Sequence, residues 1–272
     1  MRDYRLEIDL SSGSTAIIKP PLELSFSCDK SADGGLQNLV IKVKNLNSKI
    51  RNQLVRDVAD SGKLIKIRFF AGYINNIKLL TSCTLHEGRN DRKGAEIETS
   101  LTCIDGGFDQ QNSVTNATVT TKSQAYDTYV SSFSVVKKGY ITKQQEILRP
   151  KVLVGNTIQL IKKGLAPDED FFIDNEQIFI MKKNEVRRGA APLISASTGL
   201  LNTPQKSNNL VIFSMLVDPT IKLNGLVEIK SKFNKAIDGT YKVVSINYNG
   251  DFEGQSWQQE ITAAGVGNTQ TI

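Results

Sequence analysis

The stretch DGTYKVVSINYNGDFEGQSWQQEITA, residues 238–263, contains two β-strand patterns separated by turn residues. Its second half carries the only tryptophan of the chain and places four residues on one face of a strand: Trp257, Gln259, Ile261 and Ala263. Asn249-Gly250 and Gly254 are suited to the turn, because asparagine and glycine readily adopt positive φ. The sequence therefore predicts an antiparallel hairpin near the end of the chain. Two roles stay open for Trp257, packing in the core or contact with another subunit.

The same alternation of apolar and polar residues occurs near both ends of the chain. It is found in LVIKVKNL (39–46), KLIKIRFFAGY (63–73), IETSLTCIDGG (97–107), NLVIFSMLVDP (209–219) and GLVEIKSKF (225–233). A period of two with one polar face is typical of antiparallel sheets. Turn residues separate the later segments at Asp218-Pro219, Asn224-Gly225 and Asp238-Gly239.

Helical patterns interrupt the strands. SKIRNQLVRDVADSG (48–62) predicts a short helix with Ser48 as N-cap, Ile50, Leu54 and Val58 on one face, and Gly62 at its end. Two more helices are predicted in the middle of the chain, one capped by Ser123 and one running from Asn156 to Gly164. The stretch FFIDNEQIFIMKK (171–183) predicts a short hairpin, and residues 137–150 a linker or weak strand.

These patterns divide the chain into three parts. We predict a mainly β protein with a first β domain at residues 1–120, a small α/β insert at 121–190 and a second β domain at 191–272. No apolar run approaches the roughly 20 residues of a membrane span, so we expect no membrane insertion. The N-terminal MRDYRLEIDLSSG lacks the pattern of a secretory signal, and we expect folding in a cytoplasm.

The sequence offers few candidates for chemistry. Cys28, Cys83 and Cys103 are far apart and predict buried free thiols rather than a disulfide or a metal site. The single histidine, His86, has no partner pattern. The acidic residues of PDEDFFIDNE (167–176) are numerous enough for calcium ligands but match no EF-hand spacing. We interpret that stretch as a solvated loop that leads into a strand.

No motif of an enzyme is present, so no catalytic, cofactor-binding or metal-binding residue is assigned, no cofactor is expected, and the residues that bind partners stay unknown. A pair of carboxylates that meet only in the fold keeps a hydrolase as an alternative. The net charge of +6 keeps a nucleic-acid-binding β protein as another. The basic residues form no dense run, which disfavours that second alternative.

The order of the segments resembles the baseplate hub proteins of tailed bacteriophages. In the first half the matching features are Asn45-Leu46 at the end of a strand, Ala71-Gly72-Tyr73 and the Asp105-Gly106 turn. In the second half they are Thr198-Gly199-Leu200, Thr203-Pro204, Asp218-Pro219, Gly225, and a closing hairpin with Gly239, Tyr241, Val243, Gly250, Asp251 and Trp257. The resemblance covers residues 36–110 and 170–264. After Tyr73 the chain lacks the usual glycine before the next strand.

The resemblance implies a structural virion protein of the tail baseplate, made in the host cytoplasm and without catalytic residues. It also implies two barrels similar to the tail-tube subunit, the second closed by the terminal hairpin so that no sheet edge is left free. In the family, three copies form a ring whose six barrels match a sixfold tail tube, and the opposite face binds a trimeric central spike. The expected partners are therefore two further copies, the tube protein, the spike and other baseplate proteins, with viral DNA only passing through the lumen. The alternative within this fold is a ring protein that initiates the tail tube or adapts its end. We expect most lysines on outer or protein-contact surfaces.

Overall fold

A computed structural model describes residues 1–57, 64–142, 147–266 and 270–271. The chain is organised around one large, mainly antiparallel sheet, the main sheet, and a smaller α/β unit formed by residues 107–182, the insert. The predicted fold class, mainly β with a small α/β insert, is confirmed. The predicted domain boundaries at residues 120 and 190 stay predictions.

The part of the chain before the insert contributes strands and one helix. Their bounds are β1 Arg2–Asp9, β2 Thr15–Ile18, β3 Leu24–Ser31, β4 Asn38–Lys44, α1 Ser48–Leu54, β5 Lys66–Tyr73, β6 Asn76–Lys93 and β7 Glu96–Ile104. Side chains in these strands alternate between buried and less buried, as the period of two predicted.

The insert contains short helices and two small sheets. Its elements are α2 Gly107–Asn112, β8 Val114–Thr121, α3 Lys122–Ser131, β9 Lys137–Ile141, β10 Ile147–Asn156, α4 Thr157–Gly164, β11 Glu169–Ile173 and β12 Gln177–Lys182. Strands β8 and β10 form an antiparallel ribbon, while β11, β12 and β9 form a three-stranded sheet. The predicted hairpin at 171–183 is confirmed as β11–β12. Of the linker or weak strand predicted at 137–150, the strand is observed in β9 and at the start of β10, and residues 143–146 lie outside the described residues.

Strands return after the insert. They are β13 Glu185–Val186, β14 Leu193–Ile194, β15 Gln205–Ser207, β16 Leu210–Leu216, β17 Leu226–Ile229, β18 Gly239–Asp251, β19 Trp257–Gly265 and β20 Gln270–Thr271. Short 3-10 turns lie at Ala196–Thr198 and Lys235–Ile237.

The long strand β18 connects the two halves of the main sheet. The strand order is β15-β16-β19-β18-β3-β4-β7-β6-β5-β1-β2, with β17 also on β18 and β14 on β17. The first part of β18 pairs with β17, and after an irregularity between Val243 and Ser245 its second part pairs with β3. The terminal hairpin β18–β19 therefore joins the halves through β3, rather than only closing the second half as the resemblance implied.

Buried side chains of both halves of the main sheet pack together in one continuous hydrophobic core. It contains buried aromatic residues from both halves, among them Phe69 of β5 and Phe213 of β16. Trp257 is 3% exposed and packs edge-on against Phe26, and its indole N–H donates to the Gly72 carbonyl at 3.2 Å. Of the two roles left open for Trp257, core packing is the one observed.

The turn of the terminal hairpin contains Gly254, as predicted, but not Asn249-Gly250. Asn249 and Gly250 remain in β18, and Gly250 pairs directly with Trp257. A Cβ at Gly250 would lie 2.2 Å from a ring carbon of Phe26, so glycine is required here by close packing. The chain reverses over residues 252–256, where the Asp251 carboxylate accepts hydrogen bonds from the Glu253 and Gly254 amides.

Two of the predicted helix caps differ from those in the structure. Asn47, rather than Ser48, caps α1, with its side chain accepting from the Lys49 amide. Thr121, rather than Ser123, caps α3. Helix α1 already ends at Leu54, and the predicted positions Val58 and Gly62 lie outside the described residues. The predicted α4, from the Asn156 cap to Gly164, is confirmed.

Candidate functional site: a buried polar junction and two sheet edges

The residues weighed for chemistry are dispersed in the fold. His86 lies in β6, half-buried, with its Nδ1 3.3 Å from the amide nitrogen of Gln111. The three cysteines are free and buried in the main sheet, as predicted, and burial raises the pKa of the Cys28 thiol to about 12. Within the ranges that the structure describes, no three His, Cys, Asp or Glu side chains are grouped as metal ligands.

The acidic stretch 167–176 is not a solvated loop, and this corrects the prediction. Glu169, Asp174 and Glu176 are buried, Asp170 is half-buried, and only Asp168 is exposed. Buried carboxylates are stable only when they are paired or accept hydrogen bonds. The structure supplies such partners from the main sheet and from within the insert.

The turn between β11 and β12 is the point where the insert meets the main sheet. Its residues Asn175 and Glu176 have φ of 55° and 58°. Both amides donate to the carboxylate of Asp105, which follows β7, at 2.6 and 2.9 Å. The side-chain oxygen of Asn175 accepts from the Ser82 amide of β6 at 3.1 Å. These bonds fix the position and orientation of the turn on the sheet.

Charged side chains surround the same turn. Asp174 accepts from Lys30 Nζ at 2.6 Å and from Arg187 at 2.7 Å, and its side chain is only 2% exposed. Glu176 pairs with Lys66 of β5. The Arg187 guanidinium also stacks over the Phe179 ring, 4.1 Å from its centroid. We call the set Lys30, Lys66, Asp105, Asp174, Glu176 and Arg187 the polar junction.

Two carboxyl groups of the polar junction, those of Asp105 and Asp174, have pKa values shifted in opposite directions. Burial raises the pKa of Asp105 to about 7, an effect that Lys30 and the two backbone amides oppose. Burial acts in the same direction on Asp174, but Lys30 and Arg187 outweigh it and hold the pKa of Asp174 well below its usual range. Asp174 is therefore the ionised partner of the buried lysine, and Asp105 is the group that titrates near neutral pH.

Sequence reasoning missed the partners of these carboxylates, although one signal was present. Lys30 occupies the same face of β3 as the buried residues Leu24, Phe26 and Cys28. A lysine on the apolar face of a strand predicts a buried partner charge. Asp105 was noted only as a turn residue, and the identity of its partners depends on how the insert docks.

Strand edges and several apolar side chains remain open to solvent. Strands β2 and β15 lie at the two ends of the strand order, and neither has a second neighbour among the described residues; the two-residue β14, at the end of the side branch through β17, also has one neighbour there. Ile17 on β2 is exposed by 56%, and Phe233, between β17 and β18, by 80%. Unpaired edges and exposed apolar residues are features of surfaces that other chains cover. No helix in the described part of the chain combines the length and apolarity of a membrane span.

Solved structures that share this fold include phage tail proteins and a component of a type VI secretion system. The 43 kDa tail protein of prophage MuSo2 from Shewanella oneidensis is similar with a TM-score of 0.67 at 9% identity, over 97% of both chains. A tail protein from Neisseria meningitidis MC58 gives 0.66 at 8% identity, over 96% of both. The E. coli c3393 protein, a type VI secretion component described as similar to the T4 tail proteins gp27 and gp5, gives 0.64 at 7% identity, over 90% of this chain and 74% of its own.

At the level of sequence the match is to a family. Among curated protein sequences none matches the chain. The model of the family described as baseplate hub gp41 matches residues 5–251, which include the whole insert and the main sheet from within β1 to the end of β18, but not β19. The chain therefore belongs to the baseplate hub gp41 family of phage tail structural proteins.

Proposed function

We propose that three copies of this chain form a ring in the virion baseplate, with one face on the sixfold tail tube and the other on the threefold central spike. The observation that carries the proposal is the continuous main sheet, whose two halves are joined by β18. With each half as one tube-like unit, a trimer presents six units, which is the condition for matching a sixfold tube. Family membership and the likeness of the E. coli relative to gp27 and gp5 support the same role.

The free edges of strands β2 and β15 supply the contacts of the ring. Strand β2 of one copy and β15 of the next lie at opposite ends of the strand order. Pairing between them is a heterologous contact, and such contacts generate a closed ring when the rotation is threefold. The role is structural, with no reaction catalysed, and DNA passes through the lumen without specific contact.

Mass in solution tests the proposal. We expect a trimer in light scattering at high protein concentration, or a monomer that becomes trimeric when the tube or spike protein is added. A stable hexamer would instead identify a ring that initiates or adapts the tail tube. A chain that stays monomeric with both partners present contradicts the proposal.

A charged substitution on strand β2 tests whether this edge forms the contact between copies in the ring. The variant Ile17→Lys places a charge on β2 and should shift assembly to higher concentration. The matched control is Ile74→Lys, which changes an isoleucine of similar exposure, 50%, at the turn between β5 and β6. Loss of assembly in the control but not at Ile17 would show that the ring uses a different surface.

A further inference from the structure

Strand β8 of the insert is a long sheet edge without the usual protections. Its residues, VTNATVTT at positions 114–121, include no charged side chain and no proline. Its only neighbour in the described part of the chain is β10. The opposite edge of the same ribbon, on β10, carries Arg149, Pro150 and Lys151 together with an irregularity of register. Charges, prolines and irregularities protect exposed edges against pairing, so the edge on β10 is protected and the edge on β8 is not.

The backbone groups of alternate β8 residues point away from β10. The Ser113 carbonyl, just before β8, accepts from the Thr157 amide, just after β10, at 3.0 Å. Near the other end of β8, the Thr120 amide donates to the Gln124 side chain at 3.0 Å instead of to β10. Because the backbone groups of successive residues in an antiparallel strand alternate in direction, the odd-numbered residues face β10 and the even-numbered residues face outward. The outward-facing residues of β8 are Val114, Asn116, Thr118 and Thr120.

Most of these outward-facing backbone groups have no partner. Gln124 satisfies the Thr120 amide, but the described ranges supply no group on the outward side for Val114, Asn116 and Thr118. Outward-facing residues of a strand follow one another at about 7 Å, and each presents one donor and one acceptor. The backbone of a second extended segment has the same spacing and the complementary groups. The edge therefore fits an extended polypeptide strand, and a small molecule does not match it.

The side chains beside this edge specify the incoming strand further. Thr118 pairs with Val152 and Asn116 with Val154, so these exposed side chains share the outer face of the ribbon. Val114, Val152 and Val154 on that face are exposed by 64%, 66% and 63%. The other face of the ribbon packs against α3 and α4. An uncharged face of β-branched residues favours neighbouring side chains of the same kind, because cross-strand pairs stabilise a sheet through packing and hydroxyl contacts.

We propose that β8 binds an extended segment of another baseplate protein, which adds a third strand to the β8–β10 ribbon. The segment is uncharged along the added strand and places β-branched side chains beside Val114 and Thr118. A second copy of β8 matches the backbone equally well, but that pairing has twofold symmetry and does not close within a threefold ring. The choice of another protein thus rests on the proposed ring, whereas the addition of a strand does not.

Hydrogen exchange of the β8 amides, compared between the isolated full chain and tails that contain it, tests the added strand. In the isolated chain the inward-facing amides of Thr115, Ala117 and Val119 should be protected, while those of Asn116 and Thr118 exchange freely. In tails we expect the two outward amides to exchange at least about tenfold more slowly. Equal exchange of these two amides in both samples overturns the proposal.

The same measurement separates the two possible occupants. If the outward amides of β8 are already protected in the isolated chain, a second copy covers the edge and the choice of another protein is overturned. The mass of the isolated chain in solution reports on the ring independently, so failure of the ring and failure of the added strand are distinguishable.

Proline on one edge or the other provides a matched pair of variants. Thr118→Pro removes an outward amide of β8 without breaking a bond to β10, and Val152→Pro makes the same change at the directly paired position on the protected edge. We expect the protection of Asn116 in tails to fall at least about tenfold in Thr118→Pro, or this variant to be missing from tails, while Val152→Pro behaves like the unchanged chain. Equal protection of Asn116 in the two variants overturns the proposal. Thr118→Lys and Val152→Lys repeat the comparison with the backbone amides retained, and they decide it if a proline variant fails to fold.

Discussion

The interior of the main sheet and the junction that holds the insert bury different kinds of groups. The main sheet packs a continuous set of apolar side chains from both of its halves. The insert has a smaller apolar core, and it contacts the rest of the chain both through the polar junction and through a small apolar cluster that contains Phe172 and Leu223. Apolar burial provides most of the free energy of folding but has no direction, whereas hydrogen-bonded charges have strict geometry.

This difference shows how the small insert can be held in one position on the large main sheet. Replacing a buried ion pair by apolar residues is often neutral for stability, so net stabilisation alone does not explain the polar junction. Its bonds instead define one docking position for the β11–β12 turn, through two backbone amides and two ion pairs. The predictions below test this distinction, from the largest expected effect to the smallest.

The largest loss in the free energy of unfolding is expected from Asp174→Asn. The change leaves Lys30, which is 5% exposed, as a buried charge without its partner, and should lower the free energy of unfolding by about 3–5 kcal/mol. Urea denaturation of both proteins measures the difference. A loss below about 1 kcal/mol would mean that water reaches Lys30 and that the junction is not dry.

A pH-dependent effect is expected from Asp105. Its pKa is raised by burial to about 7, above the value of about 3.9 in an unfolded chain, so its contribution to stability is complete below pH 4 and is lost as the pH rises through 7. The free energy of unfolding of the unchanged chain, relative to Asp105→Asn, should therefore fall by about 1–2.5 kcal/mol between pH 5 and pH 7. Denaturation curves at the two pH values give the comparison. A difference that rises with pH would show that the two backbone amides and Lys30 outweigh burial.

A smaller effect is expected in the main sheet from Trp257→Phe. The change keeps most of the apolar ring but removes the donor to the Gly72 carbonyl, and should cost about 1–2 kcal/mol. Because this bond joins β19 to β5, the loss should appear as one cooperative transition of the whole main sheet. Two separate transitions would show that the halves unfold independently.

The smallest effect is expected from Asp127→Asn on the surface of the insert. Asp127 pairs with Lys138 at 2.7 Å, but both side chains are more than half exposed. The expected loss is about 0.5 kcal/mol or less, and it should vanish at high salt. The same chemical change at Asp174 and Asp127 thus measures burial alone, and equal losses at the two sites would contradict the comparison.

Much of the fold could be predicted from local patterns. The strands around Ile41, Ile67 and Leu101 follow from alternation, because one sheet face is buried and the other is not. The cap of α4 at Asn156 follows from local hydrogen bonding. The predicted turn at Asn249-Gly250 was wrong, because Gly250 lies inside β18. Close packing against Phe26, which is distant in sequence, requires glycine at that position.

The polar junction could not be predicted in the same way. The stretch around Asp174 has the composition of a solvated loop, and nothing local distinguishes it from one. Its burial depends on Lys30, which is 144 residues away, and on Asp105. A charged residue is buried or exposed according to the partner that the fold brings to it.

The sequence by itself determined the secondary structure classes, the mainly β fold and the order of segments that resembles the baseplate hubs, because these depend on residue type and near neighbours. Only the tertiary structure decided that β18 joins the two halves through β3, that Trp257 lies in the core, and that the acidic stretch is a docking point. These features arise from pairs of residues far apart in the chain. Their energies depend on exclusion of water, and a linear pattern does not record which groups meet.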